Sequence, residues 1–172
     1  PAADASTRAG KWEKSRFMGT EITGKTLGVI GCGNIGSVVA NRAIGLRMKV
    51  IAYDPYLSPE RAQQLGVEKI EEVDDLLKRA DFVTLHVPKT EKTANIISAE
   101  RLKLMKPTAR LINCARGGLV DEAALAEALH EGRIAGAAFD VFAEEPAKDN
   151  VLFGCPNIVC TPHLGAATTE AQ

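Results

Sequence analysis

Three residue types in the second half of the sequence have the chemistry needed to move a proton beside a bound carboxylate. They are Arg116, which two glycines follow, the adjacent pair Glu144 and Glu145, and His163. A guanidinium donates two parallel hydrogen bonds to a carboxylate, which suits an α-keto acid. An imidazole beside a carboxylate exchanges protons near neutral pH, because the carboxylate favours the protonated ring and fixes its tautomer. Taken singly, Arg116 could cap a surface turn and His163 could be structural, so their meaning depends on what brings them together.

A glycine motif in the first half predicts a phosphate-binding loop. Gly31, Gly33 and Gly36 match G-x-G-x-x-G between a predicted strand and a predicted helix. The first glycine permits a tight turn, the second lets the backbone approach a pyrophosphate, and the third lets helix and strand pack closely. Without this strand and helix the motif would indicate only a plain turn, since the spacing alone is a weak signal.

An acidic residue follows the motif at the distance expected for a ribose contact. Asp54 ends the second predicted strand, 18 residues after Gly36, and no arginine follows it directly. A carboxylate there accepts hydrogen bonds from the ribose hydroxyls and repels the 2′-phosphate of NADP. The spacing therefore predicts NAD as the cofactor, and the alternative is that Asp54 only forms a turn before Pro55.

Short apolar runs alternate with helical patterns along the chain. The predicted strands are Thr26–Ile30, Val50–Tyr53, Phe82–Val87, Ala109–Cys114, Ala135–Phe139 and Asn157–Cys160. Several are almost continuously apolar, which is typical of strands covered on both faces. Alternation of strand and helix requires crossover connections, so the sequence predicts an α/β fold with a doubly wound parallel sheet of the Rossmann type.

Three amphipathic segments are predicted to cover this sheet. Their apolar positions are Ile35, Val38, Val39 and Leu46 in the first, Val73, Leu76, Leu77 and Ala80 in the second, and Leu125, Ala128 and Leu129 in the third. Asp121 is a natural N-cap for the third helix, and Gly132 stands where a C-terminal glycine is expected.

Polar residues stand where the predicted strands end. They are Asp54, His86, Asn113 with Arg116, Asp140, and His163. Open parallel sheets bind ligands at the carboxyl edge of the strands, near the point where the strand order reverses. These residues therefore predict a cleft at one edge of the sheet, lined by ionisable groups.

Composition argues against several classes of function. The 172 residues carry 21 Lys and Arg against 22 Asp and Glu, which disfavours a surface for nucleic acid or for an anionic membrane. No apolar run approaches the roughly 18 residues of a membrane span, and nothing resembles a signal peptide. The four cysteines have neither disulfide-scaffold nor zinc spacing, so we predict no metal site and expect a reducing cytoplasm.

The run Asn113–Pro146, together with His163-Leu164-Gly165-Ala166, resembles the signature of the D-isomer-specific 2-hydroxyacid dehydrogenases. Flanking segments, among them Phe17–Glu21 and Val87–Thr90, most resemble the members of that family that act on 3-phospho-D-glycerate. The similarity covers nearly the whole chain. It implies NAD-dependent oxidation of 3-phospho-D-glycerate to 3-phosphohydroxypyruvate, which opens serine biosynthesis.

The resemblance also implies a role for each matching residue. Arg116 would bind the carboxylate and carbonyl of the substrate, His163 would take the proton of the C2 hydroxyl, and Glu145 rather than Glu144 would support His163. Asp140 would contact the nicotinamide carboxamide. The implied coenzyme contacts are Gly31, Gly33, Asn34, Ile35, Gly36, Asp54, His86, Val87, Pro88, Thr93, Cys114, Ala115, Arg116, Asp140, His163, Gly165 and Ala166.

The resemblance implies a single NAD-binding domain over residues 1–172, with parts of two interdomain helices at about 1–14 and 168–172. The substrate domain of the family would then lie outside this chain, and the family usually forms homo-oligomers through the coenzyme domain. We expect the chain to bind NAD but to turn over a 2-hydroxy acid weakly or not at all, because water exclusion and substrate orientation need the second wall of the cleft.

Other functions stay open at this point. Within the family the alternatives are a glyoxylate or hydroxypyruvate reductase, or another D-2-hydroxyacid dehydrogenase. A corepressor-like module that senses NAD(H) can keep the same Arg, Glu and His, whereas a purely structural domain would not need the glycine loop with Asp54. Cys114 as a nucleophile is a weaker alternative, because the sequence positions no base for it and hydride transfer needs no covalent intermediate.

Overall fold

A seven-stranded sheet in which all neighbouring strands are parallel organises the chain. The computed structural model describes residues 2–171, so Pro1 and Gln172 lie outside the description. The strands are β1 (Thr26–Ile30), β2 (Lys49–Tyr53), β3 (Glu68–Lys69), β4 (Phe82–Leu85), β5 (Arg110–Asn113), β6 (Gly136–Phe139) and β7 (Ile158–Cys160). The helices are α1 (Ala2–Arg8), α2 (Asn34–Gly45), α3 (Pro59–Leu65), α4 (Val73–Arg79), α5 (Ala99–Leu102) and α6 (Glu122–His130). The predicted doubly wound α/β fold is confirmed.

The strands lie in the spatial order β3-β2-β1-β4-β5-β6-β7, which places the reversal of strand order between β1 and β4. The last residues of six strands are aligned across the sheet, in the pairs Ile30–Tyr53, Ile30–Leu85, Leu85–Asn113, Asn113–Phe139 and Phe139–Cys160. Because the strands are parallel, the segments that follow these residues all leave the sheet at one edge. The predicted alignment of strand ends at one edge is therefore confirmed.

Apolar cores cover both faces of the sheet. Leu27 and Val29 of β1 belong to the core beneath α2 and α3, whereas Ile30 belongs to the larger core beneath α4, α5 and α6. Neighbouring strand residues point to opposite faces, so a strand buried on both sides must be apolar at successive positions. This explains the nearly continuous apolar runs in the sequence.

Two of the predicted helix faces are buried as expected. The buried positions are Val73, Leu76, Leu77 and Ala80 for α4, and Leu125, Ala128 and Leu129 for α6. Asp121 caps α6 by accepting a hydrogen bond from the N–H of Ala124 at 3.0 Å. Gly132, just past the end of α6, has a φ of +66°, the left-handed conformation that favours glycine there.

Of the four apolar positions predicted to pack on the α2 side, Val39 is partly buried against the core, and the prediction is wrong for the other three. Ile35, Val38 and Leu46 are 70%, 53% and 58% exposed. The buried residues of the helix are instead its small ones, Gly36, Ala40 and Ala43. Small side chains let α2 approach the sheet closely, as the glycine loop before it requires. Apolar periodicity therefore identified the helix but not the face that it buries.

Element boundaries differ from the sequence prediction at several points. β4 ends at Leu85 rather than Val87, β5 covers Arg110–Asn113 rather than 109–114, and the two-residue strand β3 was not predicted. At the ends of the description, α1 has no buried residue and residues 169–171 form a turn, so the two interdomain helices stay a prediction. None of the helices within residues 2–171 has the length and hydrophobicity needed to cross a membrane.

Candidate active site

The glycines between β1 and α2 shape a loop with little room for side chains. Gly31 has a φ of +91°, and a Cβ at this position would lie 2.5 Å from the carbonyl oxygen of His86. A Cβ on Gly36 would overlap the carbonyl group of Gly31, so only glycine lets α2 begin this close to β1. Gly33 faces open space. The first and third glycines thus serve the turn and the packing, and the second leaves the loop accessible.

The N-terminus of α2 is open to an anion. Gly33 occupies the N-cap position without a side-chain hydrogen bond, and Asn34 and Ile35 in the first turn are exposed. The first N–H groups of the helix therefore lack a side-chain cap, and the helix dipole adds partial positive charge to them. Such a helix end, preceded by an open glycine loop, fits the pyrophosphate of a dinucleotide.

Asp54 stands beside this loop and is tied to it. Its Oδ2 accepts a hydrogen bond from the N–H of Cys32 at 2.8 Å, and its Oδ1 accepts one from the N–H of Tyr56, also at 2.8 Å. Asp54 is therefore both a turn residue, as the alternative interpretation held, and a carboxylate fixed at the mouth of the glycine loop. The second property suits a ribose contact.

The segment after β4 begins with His86, next to the point where the strand order reverses. His86 is half-buried, its Nε2 lies 3.0 Å from Oγ1 of Thr84, and burial lowers its pKa, so the ring is neutral at pH 7. Thr93 uses its hydroxyl inside the loop, since it donates to the carbonyl of Pro88 at 2.6 Å and accepts from the N–H of Thr90 at 2.8 Å. Val87 is half-buried between these residues. The coenzyme contacts predicted for this segment stay predictions.

Asn113 organises the loop that carries Arg116. Its buried side chain donates to the carbonyl of Arg116 at 3.0 Å and accepts from the N–H of Ala115 at 3.1 Å. The Arg116 side chain is exposed and forms no ion pair within residues 2–171. Its Nη1 donates to the carbonyl of Ala115 at 2.6 Å, which leaves the other guanidinium N–H groups available for a carboxylate from outside the chain. Next to it, the exposed Cys114 is only partly desolvated, but this desolvation and the nearby Asp140 charge both raise the pKa of its thiol, the opposite of what a nucleophile needs.

His163 and Glu145 form a hydrogen-bonded pair at this edge of the sheet. Nδ1 of His163 lies 2.7 Å from Oε2 of Glu145, whereas Glu144 is exposed and makes no such contact. Glu145 also accepts the N–H of Phe142 at 2.9 Å. The hydrogen bonds from His163 and Phe142 lower the pKa of Glu145, so its carboxylate is charged at neutral pH. His163 has a φ of +56°, a conformation that is uncommon outside glycine and often marks a functional position.

Asp140 fixes the turn that presents His163. Its carboxylate is 5% exposed and accepts hydrogen bonds from the Thr161 hydroxyl, from the N–H of Leu164 at 2.8 Å and from the N–H of Gly165 at 2.9 Å. Its backbone carbonyl accepts the N–H of His163 at 2.9 Å. Burial alone would raise the pKa of Asp140, but the three hydrogen bonds to its carboxylate outweigh burial and lower the pKa. The implied contact of Asp140 with nicotinamide stays a prediction.

Sequence reasoning missed three contacts that shape the site. They are the hydrogen bond from Thr161 to Asp140, the use of both amide atoms of Asn113 within the Arg116 loop, and the two hydrogen bonds of Glu122 to the loop that carries Glu145. Of these contacts, only that of Asn113 could have been suspected from the sequence, because Asn113 stands at the end of a predicted strand. Thr161 and Glu122 meet partners 21 or more residues away along the chain, which spacing rules do not reach.

One edge of the sheet thus carries an open glycine loop at an uncapped helix N-terminus, the carboxylate of Asp54, an exposed arginine and a histidine–glutamate pair. This fold and this set of residues define the nucleotide-binding domain of a dinucleotide-dependent oxidoreductase. A family model described as "D-isomer specific 2-hydroxyacid dehydrogenase, NAD binding domain" matches residues 1–165. The chain belongs to this family of oxidoreductases, which confirms both the resemblance and the prediction of NAD.

Curated relatives and solved structures agree with this assignment. D-3-phosphoglycerate dehydrogenase from Methanocaldococcus jannaschii is 55% identical over the whole chain, which spans 33% of that relative. The NAD-complexed D-isomer specific 2-hydroxyacid dehydrogenase from Lactobacillus delbrueckii ssp. bulgaricus has a TM-score of 0.82 at 39% identity, over 94% of this chain and 52% of its own. A glyoxylate reductase from Paecilomyes thermophila has a TM-score of 0.87 at 35% identity, over 98% of this chain and 51% of its own. The chain therefore spans about a third of the curated relative and about half of the solved structures.

Proposed function

We propose that the protein containing this domain oxidises 3-phospho-D-glycerate to 3-phosphohydroxypyruvate with NAD and so opens serine biosynthesis. The observation that carries the proposal is the pairing of His163 with Glu145 at 2.7 Å, on the same sheet edge as the exposed Arg116 and the glycine loop. The choice of substrate rests on the 55% identity to a D-3-phosphoglycerate dehydrogenase over the whole chain.

In the proposed reaction Arg116 binds the carboxylate of the substrate through its two parallel N–H groups, which orients C2. His163 takes the proton of the C2 hydroxyl as a general base, through the ring nitrogen that faces away from Glu145. The charged Glu145 stabilises the imidazolium that forms and holds the ring in one orientation. When bound, NAD supplies the acceptor for the hydride of C2.

The proposed coenzyme site follows the geometry of the edge. Gly33 and the first turn of α2 hold the pyrophosphate, and Asp54 binds the adenosine ribose and disfavours a 2′-phosphate. Asp140 faces the nicotinamide carboxamide. The remaining contacts come from the loops after β4 and β5 and the turn after His163, and comprise His86, Val87, Pro88, Thr93, Cys114, Ala115, Gly165 and Ala166.

We further propose that residues 1–172 form one NAD-binding domain, joined to a substrate domain through helices at about 1–14 and 168–172. The substrate domain would supply the second wall of the cleft, and copies of the protein would pair through the domain described here. The chain by itself should then bind NAD without efficient turnover. A metabolic role, with all four cysteines free, supports a cytoplasmic location.

The test is NADH formation by the full-length protein with 3-phosphoglycerate, beside glycerate, D-lactate and glycolate. Activity that requires the phosphate would support the proposal. No NADH formation with 3-phosphoglycerate but activity with an unphosphorylated acid would contradict the proposed role in serine biosynthesis. The proposed coenzyme and the proposed acid–base pair would stand. No NADH formation with any of the four acids, while NADH still binds in a calorimetric titration, would favour an NAD(H)-sensing corepressor-like module.

A further inference from the structure

The loop that carries Glu145 is held by a glutamate from another element. Glu122, the first residue of α6, accepts a hydrogen bond from the N–H of Ala143 through Oε1 at 2.7 Å. Its Oε2 accepts one from the side-chain amide of Asn150 at 2.8 Å. Asn150 in turn accepts the N–H of Leu152 at 2.9 Å and caps the 3₁₀ turn Val151–Gly154. One carboxylate therefore fastens both ends of the segment 143–150, and Glu145 lies inside it.

The peptide between Phe142 and Ala143 transmits this restraint to the acid–base pair. Its N–H, that of Ala143, donates to Glu122 at 2.7 Å, and the N–H of Phe142, one peptide earlier, donates to Glu145 at 2.9 Å. The second oxygen of Glu145 then contacts His163. A shift of this peptide would therefore change the orientation of the Glu145 carboxylate relative to the imidazole ring.

The same peptide also touches the Arg116 loop. A Cβ on Gly117 would overlap the carbonyl oxygen of Phe142, so the two loops are in direct backbone contact there. The loop of Arg116 and the loop of Glu145 thus meet at one peptide, and Glu122 fixes the N–H side of that contact. Displacement of the peptide would alter the arginine and the acid–base pair together.

We propose that Glu122 is a positioning residue for the reaction, which holds the Phe142–Ala143 peptide so that Glu145 faces His163. The inference rests on the proposed function only for its catalytic meaning, since the hydrogen bonds are properties of the domain itself. Within residues 2–171, the hydrogen bonds of the Glu122 side chain go to Ala143 and Asn150, at the two ends of this segment. Its role is thus to act through Glu145.

The test is a carbon-13 NMR titration of the Glu145 carboxyl group in the 172-residue chain, with the signal assigned by Glu145→Gln. Hydrogen bonds from His163 and Phe142 lower the pKa of Glu145 against the opposing effects of burial and of the Asp140 charge, so loss of these hydrogen bonds in a loosened loop must raise the pKa. In Glu122→Ala we expect the Glu145 midpoint to rise by about half a pH unit or more, as the loss of part of a hydrogen bond to a carboxylate implies. Removal of a negative charge by itself would lower that midpoint, so the sign separates positioning from simple electrostatics.

Two matched variants sharpen the result. Glu122→Gln keeps an acceptor for the N–H of Ala143 but sets its amide nitrogen against the amide of Asn150, so the Glu145 midpoint should rise less than in Glu122→Ala. Glu127→Ala removes a glutamate from the same helix, whose partner is Arg133 at 3.5 Å, and should have no effect on Glu145. If Glu122→Ala does not fold, Asn150→Ala, which removes the partner of Oε2 together with the cap on Leu152, must still raise the midpoint.

Failure of this proposal is distinct from failure of the proposed function. A Glu145 midpoint that is lowered in the unmodified chain but unchanged or lowered further in Glu122→Ala and Asn150→Ala would overturn the role of Glu122 and leave the acid–base pair intact. A midpoint at the ordinary value in the unmodified chain would instead remove the pair, and with it both proposals. Both outcomes are decided by the Glu145 titration alone, without a measurement of turnover.

Discussion

The substitution Asp140→Asn keeps the size of a buried side chain and removes its charge. One oxygen of Asp140 accepts hydrogen bonds from the Thr161 hydroxyl and the N–H of Leu164, and the other accepts the N–H of Gly165. An asparagine can keep the first two donors on its oxygen. Its nitrogen then faces the N–H of Gly165, so two donors oppose each other and that hydrogen bond is lost.

The lost Gly165 bond sets the expected magnitude. A hydrogen bond to a charged acceptor contributes about 1.5–3 kcal/mol to stability. Gly165 is exposed, so its N–H can bind water and adds little further cost. We therefore expect Asp140→Asn to lower the free energy of unfolding at pH 7 by about 1.5–3 kcal/mol, a sizeable part of the roughly 5–15 kcal/mol typical of a domain.

The loss should also depend on pH in one direction. Because the pKa of Asp140 is lowered in the folded chain, the unfolded chain takes up the proton first as the pH falls. The contribution of the carboxylate is then complete above the unfolded pKa of about 3.9 and is lost as the pH falls through the folded-state value. The difference between the original chain and Asp140→Asn should shrink in that range.

The measurement is urea unfolding of the 172-residue chain at pH 7 and at steps down to about pH 3, the range that brackets the ordinary carboxyl pKa. Asp75→Asn is the matched control, since Asp75 has a side chain 63% exposed and lies 3.7 Å from Lys78, and it should change stability by less than about 0.5 kcal/mol. Equal unfolding midpoints for Asp140→Asn and the original chain at pH 7 would refute the reasoning. So would a difference that acid leaves unchanged, because a charge would then not be its cause.

Three further predictions concern the site and its support. His163→Gln should lower kcat of the full-length protein by about 10²-fold or more while NAD binding persists, and an unchanged kcat would remove His163 from the mechanism. Asp54→Ala should weaken NAD binding and lower the ratio of NAD affinity to NADP affinity in calorimetric titrations. An unaltered ratio would reject the ribose contact. Gly28→Ala would place a Cβ 2.5 Å from Cδ2 of Leu76, so urea unfolding should show a loss of about 1–3 kcal/mol. Gly28→Ala combined with Leu76→Ala should then cost less than the sum of the two single changes, whereas strict additivity would contradict the steric explanation.

Backbone-level features of the fold were predictable because they follow from local rules. The glycine loop requires a tight turn at Gly31 and close packing at Gly36, and both are readable from spacing. The alignment of strand ends followed from one assumption, that strands joined by helices run parallel. The face of α2 was not predictable by apolar periodicity, because closeness to the sheet selected small residues such as Ala40 over larger apolar ones such as Val38.

Long-range polar contacts set the other limit of prediction. The partners of Asp140 lie 21 to 25 residues further along the chain, and Glu122 meets Ala143 at a separation of 21. No spacing rule connects residues at such distances, because the connection depends on which loops the sheet places side by side. The choice of Glu145 over Glu144 came from family resemblance, and the structure agrees in placing Glu145 against His163.

Four carboxylates near this edge of the sheet share a property that bears on the interpretation of their variants. Each accepts at least one backbone N–H from a loop or turn near the cleft: Asp54 from Cys32, Glu122 from Ala143, Asp140 from Leu164 and Gly165, and Glu145 from Phe142. Where parallel strands end, the chain leaves the hydrogen-bond ladder and its N–H groups need new acceptors, which these carboxylates supply. The residues expected to meet coenzyme or imidazole therefore also hold the loops in place. A loss of activity in any of these variants can be assigned to chemistry only when coenzyme binding and unfolding, measured on the same variant, are unchanged.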